Sequence, residues 1–157
     1  MWYMKPVSVH IDVPHAPADV FDYLDVMANH ETFTNHYMTN WSCSGPDRGV
    51  GSKAHVTAKL GGQEAEVDIE VVDAEAPHKI VEHNSSAGGS RLGTGTYVLD
   101  PLPDGGTRIT FEYDWRKAPL ADRVAAPLVR SMMRKANEKA MERLAGELAK
   151  VSSAAAA

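Results

Sequence analysis

The side chains able to bind a metal, attack a carbonyl or move a proton are sparse in this chain, and their spacing narrows what they can do together. Seven histidines are present, but none has partners at a workable ligand spacing. His30 and His36 lie six residues apart, which does not fit the i, i+4 face of a helix. His78 and His83 lie five apart, so they point to opposite sides of one strand. Cys43 is the single cysteine. It can form no internal disulfide or thiolate set, and reads as a small buried strand residue. Gly45, Gly49, Gly51, Ser52 and Lys53 have the composition of a phosphate loop. Their spacing is not G-x-x-x-x-G-K-[ST], and no helix follows to present its N-terminus. No G-x-S-x-G nucleophile elbow occurs. No metal and no cofactor is therefore expected, and acid/base or purely non-covalent chemistry remains.

Composition limits the partners. The chain has 157 residues, 43% hydrophobic and 24% charged, enough for one domain with a real core. Its net charge of −5 argues against a nucleic-acid backbone or an anionic membrane as main partner. No run approaches the ~18 apolar residues of a membrane span. The opening Met1-Trp2-Tyr3-Met4-Lys5-Pro6 lacks the apolar core of a signal peptide. With one cysteine and no leader, a cytoplasmic location is expected, as monomer or homodimer. Residues 1–150 are expected to form one domain, and the VSSAAAA tail, residues 151–157, to be disordered.

The elements that must position any site follow from periodicity. Val7, Val9, Ile11 and Val13 alternate with polar residues, a strand with one buried face. Pro17 suits a first helical position, and Val20, Phe21, Leu24 and Met27 make a helical face. Asn29 is a candidate cap for a second short helix to about Asn35. At the other end, Leu120, Val124, Leu128, Met132, Ala136, Ala140, Leu144 and Leu148 form a row four residues apart from about Ala118 to Lys150. One helix of about 50 Å is predicted there. A four-residue row drifts by roughly 40° per step, so keeping it buried demands a surface that curves around the helix.

Hairpins between these helices supply such a surface. Gly61-Gly62 is a two-residue turn signal that pairs Leu60 with Gln63. Counting outward sets Ala58 against Ala65, Val56 against Val67 and Ala54 against Ile69 on one face. Lys59–Glu64, Thr57–Glu66, His55–Asp68 and Lys53–Glu70 lie on the other. Further strands are predicted at 78–86, 91–100 and 107–116. A five-residue loop between the last two pairs Leu99 with Ile109, Tyr97 with Phe111, Tyr113 with Gly95 and Trp115 with Gly93. Glycines opposite large rings either leave open volume beside them or are filled over by them. For the strand at 78–86, inward Val81 and His83 or inward Ile80 are equally open.

Several segments together resemble the START and birch-pollen-allergen-like (SRPBCC) superfamily, and within it the polyketide cyclase/dehydrase and lipid-transport group. They are Val7–Val13 with Ala16–Leu24, Arg48-Gly49-Val50-Gly51-Ser52, Gly93-Thr94-Gly95-Thr96-Tyr97 and Gly105–Phe111. The resemblance spans residues 5–150 and implies the α+β helix-grip fold. This is a β-α-α-β6-α chain whose seven-stranded curved antiparallel sheet wraps a long C-terminal helix. It also implies an apolar cavity between sheet and helix for a lipid, polyketide or other aromatic molecule.

On that template the expected ligand-binding residues are Phe33, Tyr37, Trp41, Val67, Ile69, Tyr97, Phe111, Trp115, Met133, Asn137 and Met141. Methionine walls suit variable apolar ligands. For a cyclase or aromatase, His36 is the candidate acid/base, and Tyr113 or Tyr97 would polarise a carbonyl. His83 joins them if it points inward. The expected function is binding of a hydrophobic small molecule. The alternatives are a polyketide cyclase/aromatase-type enzyme, or an interaction module that uses Arg130, Arg134 and Lys135.

Overall fold

The computed structural model describes residues 3–156. The chain runs β1 (Val7–Val13), α1 (Pro17–Asp25), α2 (His30–Thr34), β2 (Met38–Ser44), β3 (Lys53–Leu60), β4 (Gln63–Glu75) and β5 (Lys79–Ser86). It continues with β6 (Arg91–Pro101), β7 (Thr107–Lys117), α3 (Leu120–Val124) and α4 (Ala126–Ala156). The strands form one seven-stranded sheet in the order β1-β7-β6-β5-β4-β3-β2. Every pairing is antiparallel. The helix-grip architecture expected above is therefore what the chain adopts.

Both predicted hairpin registers are present residue for residue. Leu60 pairs with Gln63 and Lys53 with Glu70 across Gly61-Gly62. The two glycines take φ of 60° and 81°, the left-handed geometry of a tight hairpin turn. Leu99 pairs with Ile109 and Trp115 with Gly93. Cys43, expected to be buried, is exposed, because β2 is an edge strand whose only sheet partner is β3. Asn29 precedes α2 but makes no cap. Met27–Asn29 is a 3₁₀ turn, and Asn29 Nδ2 donates back to the Tyr23 carbonyl oxygen at 2.9 Å.

The C-terminal helix departs from expectation at both ends. A break at Ala125 (φ −96°, ψ 25°) separates the short α3 from α4. Leu120, Val124 and Leu128 are 67%, 78% and 61% exposed, while Ala136, Ala140, Leu144 and Leu148 are buried. The drift explains it: seven steps of roughly 40° carry the row through about 280°, which no single groove can cover. From Val129 onward a neighbouring row of Val129, Met133, Asn137 and Met141 turns inward instead. The helix also continues through Ala156, beyond the Lys150 end expected for it, since alanine is the strongest helix former. The last residue of the expected tail, Ala157, and the first two residues lie outside the described residues.

Side chains clamp the helix in place. Arg130 donates to the carbonyl oxygens of Lys5 (2.9 Å) and Pro6 (3.0 Å), and Arg134 to that of Ser8 (3.0 Å). These bonds occupy one carbonyl of β1, an edge strand of the sheet, and two in the segment that leads into it. Arg143 donates to Asn35 Oδ1 and, at 3.3 Å, to the Thr32 carbonyl oxygen, holding the end of α2. Among the described residues no helix is long and apolar enough to cross a membrane.

Candidate functional site

Between the inner face of the sheet and α2, α3 and α4 lies a cavity of about 850 Å³. Strand alternation builds its sheet wall. On β7 the inward positions are Phe111, Tyr113 and Trp115, and on β6 they are Tyr97, Gly95 and Gly93. The rings lean along the strand rather than standing over their direct partners. A Cβ placed on Gly93 would meet Tyr113 Oη at 2.1 Å, and one on Gly95 would meet Phe111 Cε1 at 3.1 Å and Glu82 Cγ at 3.2 Å. The glycines are thus filled over, not open. Tyr97 and Phe111 pack at 4.7 Å between ring centroids, and Tyr113 and Trp115 meet edge to face at 4.9 Å.

The helical wall carries Val129, Met133, Asn137 and Met141, and α2 contributes Phe33 and His30. Tyr37 donates its hydroxyl to Asn137 Oδ1 at 3.3 Å, and Asn137 Nδ2 donates to the Met133 carbonyl oxygen at 2.9 Å. Trp41 anchors its indole N–H on the Met38 carbonyl oxygen at 3.0 Å. Every expected ligand-binding residue lines this cavity: Phe33, Tyr37, Trp41, Val67, Ile69, Tyr97, Phe111, Trp115, Met133, Asn137 and Met141; so does Tyr113, expected as a catalytic group.

His36 does not line it. Its Nε2–H donates to the Ala136 carbonyl oxygen at 2.9 Å, and its ring packs on Tyr37 at 4.8 Å. The turn after α2 lays the imidazole against the flank of α4, where it ties two elements together. Burial, the larger effect, lowers its pKa against the hydrogen bond to Ala136. His83 is exposed on the outer face, because Ile80 and Glu82 take the inward positions of β5.

That strand phase brings in the residue the sequence reading missed. Glu82 is 5% exposed, and its Oε2 is buried without a hydrogen-bond partner. Desolvation pushes its carboxyl from the ordinary 4.5 up to about 7. A signal existed: the four residues between Ser86 and Arg91 fix Ile80 opposite Tyr97 and Glu82 opposite Gly95, and those β6 positions were already assigned inward. His30 was also missed. It is fully buried and kept below its ordinary pKa by that burial, with its Nε2–H on the Leu24 carbonyl oxygen at 2.7 Å.

Burial likewise raises the pKa of Tyr37 and Tyr97, and that of Tyr113 to about 12, so all three phenols stay protonated as hydrogen-bond donors. Arg91 at the start of β6 donates Nε (2.7 Å) and Nη2 (3.0 Å) to the two carboxylate oxygens of Asp122 on α3. This bidentate pair stands in the cavity wall beside α3, a helix with no buried residue of its own. Among the described residues no group of three or more His, Cys, Asp or Glu side chains is placed to hold a metal.

This wrapped sheet, long helix and apolar cavity define the class, and comparison with known proteins gives the family. The chain belongs to the polyketide cyclase / dehydrase and lipid transport family, whose model matches residues 4–149, within the SRPBCC superfamily. Its structure is similar to that of TTHA0849 from Thermus thermophilus, at 17% identity and a TM-score of 0.74, covering 94% of this chain and 99% of that one. It is also similar to the ZhuI aromatase/cyclase from Streptomyces sp. R1128, at 12% identity and a TM-score of 0.76, over 94% and 95% of the two chains. Ginseng major latex-like protein 151 from Panax ginseng is 11% identical with a TM-score of 0.69, over 93% and 98%. No curated protein matches the chain significantly in sequence.

Proposed function

We propose that the protein binds a hydrophobic small molecule, of the lipid, polyketide or aromatic class, between its sheet and its long helix. The observation that carries this reading is the cavity of about 850 Å³ walled by aromatic and methionine side chains. Its size falls in the range of small-molecule sites, and a few polar groups converge within it. A panel of fatty acids, sterols and aromatic polyketides tests the reading by thermal denaturation. A ligand at a hundred times its Kd should add about 2.7 kcal/mol of stability. Absence of a shift across the whole panel overturns the reading.

A second reading, an acid/base enzyme of the cyclase type, is favoured by Glu82, a carboxyl poised near neutrality in the cavity wall with Tyr113 and Tyr97 beside it. In this reading Glu82 replaces His36 as the group that exchanges a proton, and a tyrosine hydroxyl polarises the carbonyl. Turnover of a polyketide-like substrate that survives both Glu82→Gln and Tyr113→Phe would rule it out. An interaction module on the basic edge of α4 has less support, because Arg130 and Arg134 are engaged with the carbonyls of Lys5, Pro6 and Ser8.

A further inference from the structure

One group in the cavity lacks a counterpart. An ionised Glu82 is costly in that wall unless a cation or several donors meet it. The protein supplies neither. Arg91, the basic side chain in the wall, is paired with Asp122, so the two together add no net charge. His30 is held neutral by burial, with its N–H already donated to Leu24. Glu66 turns to the outer face, where it accepts from Thr57 Oγ1 at 2.8 Å, and Glu64 follows by strand alternation.

What faces Glu82 is a set of rings. Tyr37, Tyr97 and Tyr113 all feel its charge, and Phe111 shares the space above Gly95 with its Cγ. One position further along the inward face of β5, Asn84 Oδ1 is a second buried acceptor without a partner. A carboxylate and a free acceptor among aromatic faces suit an organic cation. The carboxylate offsets its charge, the rings attract it through their quadrupoles, and the remaining wall takes an apolar body. An ammonium brings the three donors these acceptors lack. A fatty acid would set a second carboxylate against the first.

We propose that the cavity selects hydrophobic amines, with the protonated amino group at Glu82 and the apolar body among Phe111, Trp115 and Met133. This rests on the cavity being a ligand site, as proposed above.

Two fluorescent probes of nearly equal shape, 1-pyrenemethylamine and 1-pyrenemethanol, separate the charge from the fit. At about pH 8 the wild-type protein should bind the amine about tenfold or more tighter than the alcohol. Glu82→Gln should erase that preference and still bind the alcohol. Calorimetry of the wild type in buffers of different ionisation enthalpy adds a readout that needs no variant. Near pH 7 amine binding should release about half a proton as Glu82 is driven to its ionised form, and the alcohol should release none. Equal affinity for the two probes, or no more proton release with the amine than with the alcohol at any pH between about 5 and 8, overturns amine selection while leaving the cavity a ligand site. Failure of both probes to bind removes amine selection, and the panel of neutral and acidic ligands then decides separately whether the cavity binds anything.

Discussion

Burying Glu82 makes the folded protein sensitive to pH in a direction set by one carboxyl. Its folded-state pKa is raised from 4.5 to about 7, so between those values the folded chain keeps a proton that the unfolded chain has released. Stability therefore falls as pH rises through this window and levels off above about 7. The shift is worth up to about 3 kcal/mol. Glu82→Gln lacks this loss, so its stability advantage over wild type should grow by about that amount between pH 4 and pH 8, as read by urea denaturation at each pH. His30 acts in the opposite sense. Its pKa is lowered by burial, so the stability it supports is present above its ordinary 6.5 and is lost on acidification. His30→Asn should flatten that acid arm of the stability profile. The rings of this site were legible in the sequence because two hairpin registers assign them a face. Glu82 was not, because β5 alternates Ile80, Glu82 and Asn84 with Val81 and His83, and either set makes a plausible inner face until the strand is paired with β6.

At the scale of elements, the same spacing of apolar residues has different outcomes along one helix. The row from Ala136 to Leu148 is core, whereas Leu120, Val124 and Leu128 at its start are exposed. Periodicity reports that a helix is amphipathic, but not where the partner surface stops, and a fixed row must leave that surface as it drifts. The hairpins were more legible because strand period is two and a slip of one residue would invert every face. Two glycines make the contrast testable. Gly146, on an exposed helical surface with nothing near its added Cβ, should gain about 0.5–1 kcal/mol on Gly146→Ala. Gly93→Ala sets a methyl 2.1 Å from Tyr113 Oη. It should lose about 1–3 kcal/mol through forced movement of that ring, and should weaken binding of the pyrene probes. Chemical denaturation of both variants checks the two signs.

At the scale of the whole molecule, the core and the cavity share walls: Tyr97, Phe111, Tyr113 and Trp115 belong to both. A ligand that fits would complete the packing that the sheet and α4 leave open. The architecture and this cavity followed from pattern and resemblance, whereas the charge inside it required the three-dimensional pairing. The tip of the β3–β4 hairpin rests on α4, where a Cβ on Gly61 would lie 2.4 Å from Met132 Sδ. Across the same cavity, α3 has no buried residue and is joined to β6 by Arg91 and Asp122. That tie is ionic, and an ionic tie weakens with added salt whereas an apolar one does not. Time, not affinity, should therefore carry the signature of this pair. Stopped-flow measurements with the uncharged probe 1-pyrenemethanol should show association and dissociation both accelerating as ionic strength rises, with Kd changing little. Asp122→Asn should give faster rates already at low salt and reduce their salt dependence.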